Sequence, residues 1–169
     1  MTQAAAGETL SEQETLSVMG VLVRFIATPE EVDDVLGAMH GTIPPGVFIP
    51  LHSHPDAEIL YVLKGSIEVY QEAGASSEWR TMQAGSTISI PRNAKHAFRN
   101  TSSQPVTAIV VIGQELYRFF REIARSFDPS KPPAPPTAEE REHFFKVVAR
   151  YGYWLGSAEE NAAIGLMLQ

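Results

Sequence analysis

Short apolar segments rich in β-branched residues alternate with turn signals through most of the chain. The segment VMGVLVRFIA (18–27) is typical of a strand, and turns containing Gly, Pro or Asn separate the segments that follow. Many short strands with such turns are typical of a sandwich or barrel. The pattern predicts an all-β body of about nine strands: 18–27, 35–43, 47–52, 58–63, 66–72, 79–83, 86–90, 95–100 and 105–112.

The hydrophobic period becomes helical after Gly113. In QELYRFFREIARSF (114–127), apolar residues recur at i, i+3, i+4, i+7 and i+11, which places them on one helix face. PSKPPAPP (129–136) predicts a stiff, polyproline-like linker. The chain therefore divides into a flexible N-terminal arm (1–17), a β domain (18–113) and a helical extension (114–169).

Two capping boxes predict the remaining helices. Thr137 and Glu140 begin the second, whose apolar stripe extends to Trp154 and Leu155. A third is predicted over 158–167. Short isolated helices are marginal in water, so their aromatic faces are expected to bury against the barrel or a second subunit.

Composition excludes several classes of partner and site. The net charge is −7 with no basic cluster, which disfavours nucleic acid. The chain has no cysteine, so disulfides and zinc–thiolate sites are excluded. The sequence has neither signal-peptide character nor a membrane-length apolar run, which predicts a cytoplasmic protein without a membrane partner.

Candidate chemistry is concentrated in two stretches. His52 and His54 are two apart and share one face of a predicted strand, and Glu58 opens the next strand. His96 opens a later strand, with Phe98 on the same face. Burying three imidazoles and a carboxylate in an apolar interior costs free energy unless a cation compensates the charge. The set suits one divalent transition metal and does not choose among Fe, Mn, Ni, Co, Cu and Zn.

The other histidines of the predicted elements are interpreted as ordinary residues. His143 lies on the polar shoulder of a predicted helix and is expected to be solvated. His40 is a lone strand histidine that could also line a barrel mouth. The aromatic stripes at 116–127 and 144–154 are interpreted as packing faces.

The first stretch resembles the first motif of the cupin superfamily. That motif reads here as Gly46, five residues, His52-Ser53-His54, three residues, Glu58, six residues and Gly65.

The second stretch resembles the second cupin motif, nineteen residues further on. It contains Gly85, Pro91, Asn93, His96 and Asn100, with Asn93 where the family usually has Gly. Asn tolerates the left-handed conformation, so the turn is expected to survive.

The resemblance implies a cupin jelly-roll β-barrel with a C-terminal helical appendage. It implies His52, His54, Glu58 and His96 as metal ligands, and a homodimer. The C-terminal sequence is similar to that of small bacterial cupins described as quercetin-dioxygenase-like. Fold alone does not fix function, because one fold supports many sites.

The first functional hypothesis is a metal-dependent oxygenase acting on a small aromatic or apolar molecule, with Glu58 as ligand and potential base. Arg92 and Lys95 are expected at the rim, where their positive charges would suit an anionic group on the substrate. The alternatives are a non-catalytic, metal-anchored binder or sensor, and a Lewis-acid isomerase or lyase. The expected pocket wall consists of Ile49, Leu60, Val62, Ile90 and Phe98, with His40 at the mouth.

Overall fold

The computed structural model describes residues 14–73, 76–130 and 136–168. Most of the predicted arm and most of the predicted linker lie outside these residues. The first strand begins at Leu16, two residues before the predicted start of the β domain. None of the described helices is long and apolar enough to cross a membrane.

The described residues form twelve strands and three helices. The strands are β1 (Leu16–Val18), β2 (Val21–Ala27), β3 (Leu36–Ile43), β4 (Phe48–Ser53), β5 (Glu58–Lys64), β6 (Ser66–Ala73), β7 (Ser76–Gln83), β8 (Thr87–Ile90), β9 (His96–Arg99), β10 (Val106–Gly113), β11 (Arg125–Ser126) and β12 (Trp154–Leu155). The helices are α1 (Gln114–Ile123), α2 (Ala138–Tyr151) and α3 (Ala158–Ala163).

Two antiparallel sheets enclose the core. One has the order β11-β1-β2-β3-β10-β5-β8, and the other has the order β12-β4-β9-β6-β7. Buried and less buried residues alternate along β10, as expected for a strand with one face toward the core. The predicted all-β body with a C-terminal helical appendage is confirmed.

The first predicted strand is in fact a hairpin. Its two strands, β1 and β2, are joined at Met19 and Gly20, which both have positive φ (50° and 93°). The apolar character of 18–27 hid the turn, although Gly20 is the residue that turns of this kind favour.

All three predicted helices end earlier than expected. The third, predicted over 158–167, stops at Ala163. A strand follows each of the other two. The first stops at Ile123, and Arg125–Ser126 then pairs with β1. The second stops at Tyr151 because Gly152 takes the left-handed conformation (φ 66°), the usual C-terminal stop. Trp154 and Leu155, predicted to continue the helical stripe, instead form β12 against β4.

Replacing Thr137 by alanine should destabilise the fold without affecting the histidine region. The Thr137 Oγ1 accepts the Glu140 N–H at 3.1 Å, and Glu140 Oε2 accepts the Thr137 N–H at 2.6 Å. Loss of such a cap costs about 1 kcal/mol of the free energy of unfolding. Urea denaturation of Thr137→Ala measures this cost, and an unchanged midpoint would show that the cap contributes nothing.

Candidate metal centre

Three histidines meet between the sheets. His52 lies on β4, His54 directly after β4, and His96 at the start of β9, where it pairs with His52. One ring nitrogen from each lies within 4.8 Å of the others. The ring centroids of His52 and His96 are 4.1 Å apart, and those of His54 and His96 are 5.0 Å apart. Antiparallel pairing of β4 with β9 thus joins the two sequence stretches.

Backbone carbonyl groups orient all three rings in the same way. Each Nδ1 donates to a carbonyl oxygen two residues away: His52 to Pro50 (2.7 Å), His54 to Asp56 (2.9 Å) and His96 to Ala94 (2.8 Å). A neutral imidazole that donates through Nδ1 keeps a lone pair on Nε2. The backbone therefore selects the tautomer that leaves all three Nε2 atoms available as ligands.

The carboxylate of Glu58 lies beside this group. Its Oε2 is 3.5 Å from His54 Nε2 and 3.6 Å from His96 Nε2, and its side chain is 9% exposed. Glu58 begins β5, in the opposite sheet from β4 and β9. The four predicted ligands are thus brought together from both sheets.

The electrostatics favour the ligand forms of His52 and Glu58. Burial, reinforced by neighbouring His96, lowers the pKa of His52 to about 3. Burial alone would raise the pKa of Glu58, but the imidazoles of His54 and His96 outweigh it and hold that pKa well below its ordinary value. Burial alone would lower the pKa of His54, yet adjacent Glu58 raises it overall. His52 is therefore neutral and Glu58 ionised.

The residues fit a divalent transition metal. His96 is fully buried, and its Nε2 has no hydrogen-bond partner among the described residues. A buried polar atom without a partner is costly, and a cation would satisfy this nitrogen. Imidazole and carboxylate ligands suit several first-row metals, so the ligand set leaves the identity of the metal open.

The turn before His96 is held against the first motif. Asn93 has φ 59°, which confirms that asparagine adopts the left-handed conformation expected there. The Asn93 N–H donates to the carbonyl oxygen of His54 at 2.8 Å. This bond links the two motif turns and fixes the position of His54.

The residues of the predicted apolar wall lie largely buried in the core. Phe98 is 2% exposed, and its ring centroid is 5.5 Å from that of His96. Ile49 is half-buried against the same core, and a register shift between Ile49 and His52 lets both face inward although they are three residues apart. The other buried members are Leu60, Val62 and Ile90.

The placement of His40 at the mouth does not agree with the structure. Its neighbour Met39 is 4% exposed and belongs to the core, so the alternation of β3 turns His40 to the outer face. On β10, Ile109 pairs with His40 on one side and with Tyr61 on the other. Tyr61 is half-exposed, so His40 shares the outer face of the sheet with it. His40 therefore lies outside the cluster of His52, His54 and His96.

Sequence reasoning missed Tyr153. Its ring centroid is 5.8 Å from that of His54, and its buried hydroxyl has no hydrogen-bond partner among the described residues. Burial, followed by the charge of Asp56, raises the pKa of Tyr153. Gly152 was the sequence feature that could have revealed this, because a glycine commonly ends a helix and Tyr153 then lies outside α2 and its apolar stripe.

A cavity of about 530 Å³ adjoins the site beside Tyr153 and the turn after His54. Its polar lining holds Arg92 and Arg150 together with two carboxylates, and the charge of Arg92 acts on Asp56. The complete lining is Pro55, Asp56, Arg92, Glu115, Arg150, Tyr151 and Tyr153.

Comparison of the sequence with known proteins finds a cupin segment. Residues 39–112 match the Cupin domain family. Auxin-binding protein 1 of Arabidopsis thaliana is 32% identical over 84 residues, which cover 47% of this chain and 42% of the relative. The chain thus spans less than half the length of this curated relative.

Comparison of the fold gives the same result. An oxalate decarboxylase of Bacillus subtilis, described with Mn(II) centres, has a TM-score of 0.53 and 22% identity over 66% of this chain and 32% of that chain. KdgF from Halomonas sp. has a TM-score of 0.52 and 21% identity over 61% of this chain and 89% of that chain. Residues 39–112 thus match a cupin domain, and the solved structures share the cupin fold with this chain.

Proposed function

We propose that this chain binds one divalent transition metal through His52, His54, Glu58 and His96, and acts as an oxygenase on a small aromatic or apolar molecule. The observation that carries the proposal is the convergence of three Nε2 atoms beside an ionised carboxylate in an otherwise apolar interior. The proposed protein is a cytoplasmic homodimer without nucleic-acid or membrane partners.

The side chains of the chain have separable tasks in this proposal. The backbone carbonyl groups hold the three imidazoles in one tautomer before any ligand arrives, which is the usual arrangement behind a metal ligand. The buried wall around Phe98 keeps water from the interior face of the site. When bound, a divalent transition metal supplies Lewis-acid chemistry, and a redox-active one also supplies electron transfer.

Glu58 fits the role of ligand better than that of a strong base. Its lowered pKa keeps Oε2 ionised, and the adjacent imidazoles share its charge. Proton transfer from a substrate hydroxyl to Oε2 requires that this pairing be weakened on substrate binding. We therefore assign Glu58 first as a ligand and second as a proton acceptor.

The neighbouring cavity favours a second candidate function. Arg92 and the Tyr153 ring line it, next to the turn that follows His54. An arginine suits the recognition of a carboxylate. A Lewis-acid isomerase or carbon–carbon lyase acting on an organic acid, or a non-catalytic binder of such an acid, would use this cavity together with the same metal.

Oxygen consumption separates these candidates. Protein loaded in turn with Fe, Mn, Ni, Co, Cu or Zn is mixed with phenols, diketones and small organic acids in an oxygen-electrode cell. We expect oxygen uptake with a phenol or diketone in the presence of a redox-active metal. Conversion of an organic acid without oxygen uptake would instead establish the isomerase or lyase. Saturable binding without conversion would establish the binder.

A further inference from the structure

The C-terminal strap, defined here as residues 153–166, runs along the free edge of the strand that carries His52. In β12, Trp154 pairs with Ser53 and Leu155 pairs with His52. The Gly156 N–H then donates to the Leu51 carbonyl oxygen at 2.7 Å. The outer edge of β4 is therefore occupied by backbone from the far end of the chain.

Asn161 locks the strap to β4. It is fully buried, and its Oδ1 accepts the Leu51 N–H at 2.9 Å. Its Nδ2 donates to the Gly156 and Ser157 carbonyl oxygens at 2.9 and 3.0 Å. One carboxamide thus joins the backbone of β4 to the bend of the strap, and its loss would leave the buried Leu51 N–H without this partner.

The strap also covers the outer side of the strands that carry His52 and His96. Leu166 is 3% exposed and packs in one cluster with Leu51 of β4 and Ala97 of β9. The Trp79 indole N–H donates to the Ile164 carbonyl oxygen at 2.8 Å, which anchors the end of the strap to β7. The strap is therefore held at both ends.

Near the histidines, the strap makes two further contacts. Tyr153 packs against the ring of His54, with centroids 5.8 Å apart. Lys95, the residue before His96, lies 4.2 Å from the Trp154 ring centre and 3.8 Å from Glu160 Oε1. Each of the three histidines therefore has the strap beside it or beside its sequence neighbour.

We propose that the strap is a structural part of the metal centre and that Asn161 is a positioning residue for His52, acting through the Leu51 backbone. The His52 ring is oriented by the carbonyl oxygen of Pro50 in the same strand, so displacement of residues 50–52 displaces the ring with them. Without the strap, β4 would become an edge strand that is hydrogen-bonded on one side only, to β9. The inference rests on the proposed metal site.

The test compares Co²⁺ binding by the full-length wild type, Asn161→Ala and Thr137→Ala. Removal of an outer partner of a metal ligand costs about 10–100-fold in metal affinity. Asn161 bonds to the backbone beside His52 and not to its ring, so we expect the Kd for Co²⁺ to rise by about 10-fold, the lower end of this range, in Asn161→Ala, with an altered visible spectrum of the bound ion. Thr137→Ala loses stability at a cap away from the histidines and should keep both the wild-type Kd and the wild-type spectrum.

Gly156→Ala is a second variant in case Asn161→Ala does not fold. A Cβ there would lie 3.1 Å from Asn161 Nδ2 and 3.1 Å from the Leu51 carbonyl oxygen, so it shifts the strap while keeping the carboxamide. A smaller increase in Kd is expected, and faster hydrogen exchange of the Leu51 amide in either folded variant supports the same conclusion.

Two results would overturn the inference alone. One is a wild-type Kd and spectrum in both strap variants; the other is an equal rise in Kd in Thr137→Ala. A wild-type protein that binds no Co²⁺ would instead overturn the proposed function, and the inference with it.

Discussion

The double variant His52→Ala/His96→Ala is expected to lose essentially all bound metal. These residues pair across β4 and β9 and supply two of the three Nε2 atoms that converge. Loss of an outer partner already costs about 10–100-fold in metal affinity, and loss of two ligands costs more. Elemental mass spectrometry of untagged protein should find about one divalent metal ion per chain in the wild type, the stoichiometry expected of a single closed ligand set.

His143→Ala is the matched control for this experiment. It removes a histidine that is exposed on α2 and contacts the Glu122 carbonyl oxygen, far from the cluster in the fold. Its metal content should equal that of the wild type. Equal metal in the double variant and in the wild type would contradict the ligand assignment. Absence of metal from every protein, even after reconstitution, would make the barrel a plain binding module.

Glu58→Gln is expected to retain metal better than the histidine variants and to lose turnover. Glutamine keeps a carbonyl oxygen of similar position but removes the negative charge that faces His54 and His96. If Oε2 accepts a proton in the reaction, its loss lowers the rate by about 10²–10⁴-fold. The variant thus separates the two roles assigned to this side chain.

Metal affinity and turnover are measured on the same preparation, once oxygen-electrode screening has found a substrate. Glu68→Gln provides a matched control, because Glu68 pairs with Arg99 on the surface and has no contact with the histidines. Near-normal turnover in Glu58→Gln would restrict Glu58 to a dispensable ligand. If Glu58→Gln loses metal as completely as the double variant, metal binding requires the negative charge of Glu58, and an uncharged oxygen in its place is not enough.

Much of the site follows from local rules. Period-2 alternation places His52 and His54 on one face, and the left-handed turn at Asn93 carries the chain into His96. The same rule, applied to the buried Met39, turns His40 to the outer face. The sequence pattern allowed His40 to line the barrel mouth, because a lone polar residue in a predicted strand does not reveal which face is buried.

The helical extension was less predictable from sequence. Its capping boxes at Thr137 and Ser157 form as expected, because they depend on residues only three apart. Trp154 and Leu155 continue the apolar periodicity of α2 but form β12, because the free edge of β4 offers them hydrogen bonds. No local sequence pattern shows that this edge of β4 lacks a neighbouring strand.

Local sequence patterns predict the β-rich body and the helical appendage, and the two histidine stretches supply the four residues proposed as ligands. Each of these patterns lies within a strand, a turn or a helix. The contacts of Tyr153 with His54 and of Asn161 with Leu51 are visible in the folded structure alone. These contacts join residues about a hundred positions apart, and their geometry is set by which strand edge remains unpaired after the sheets form.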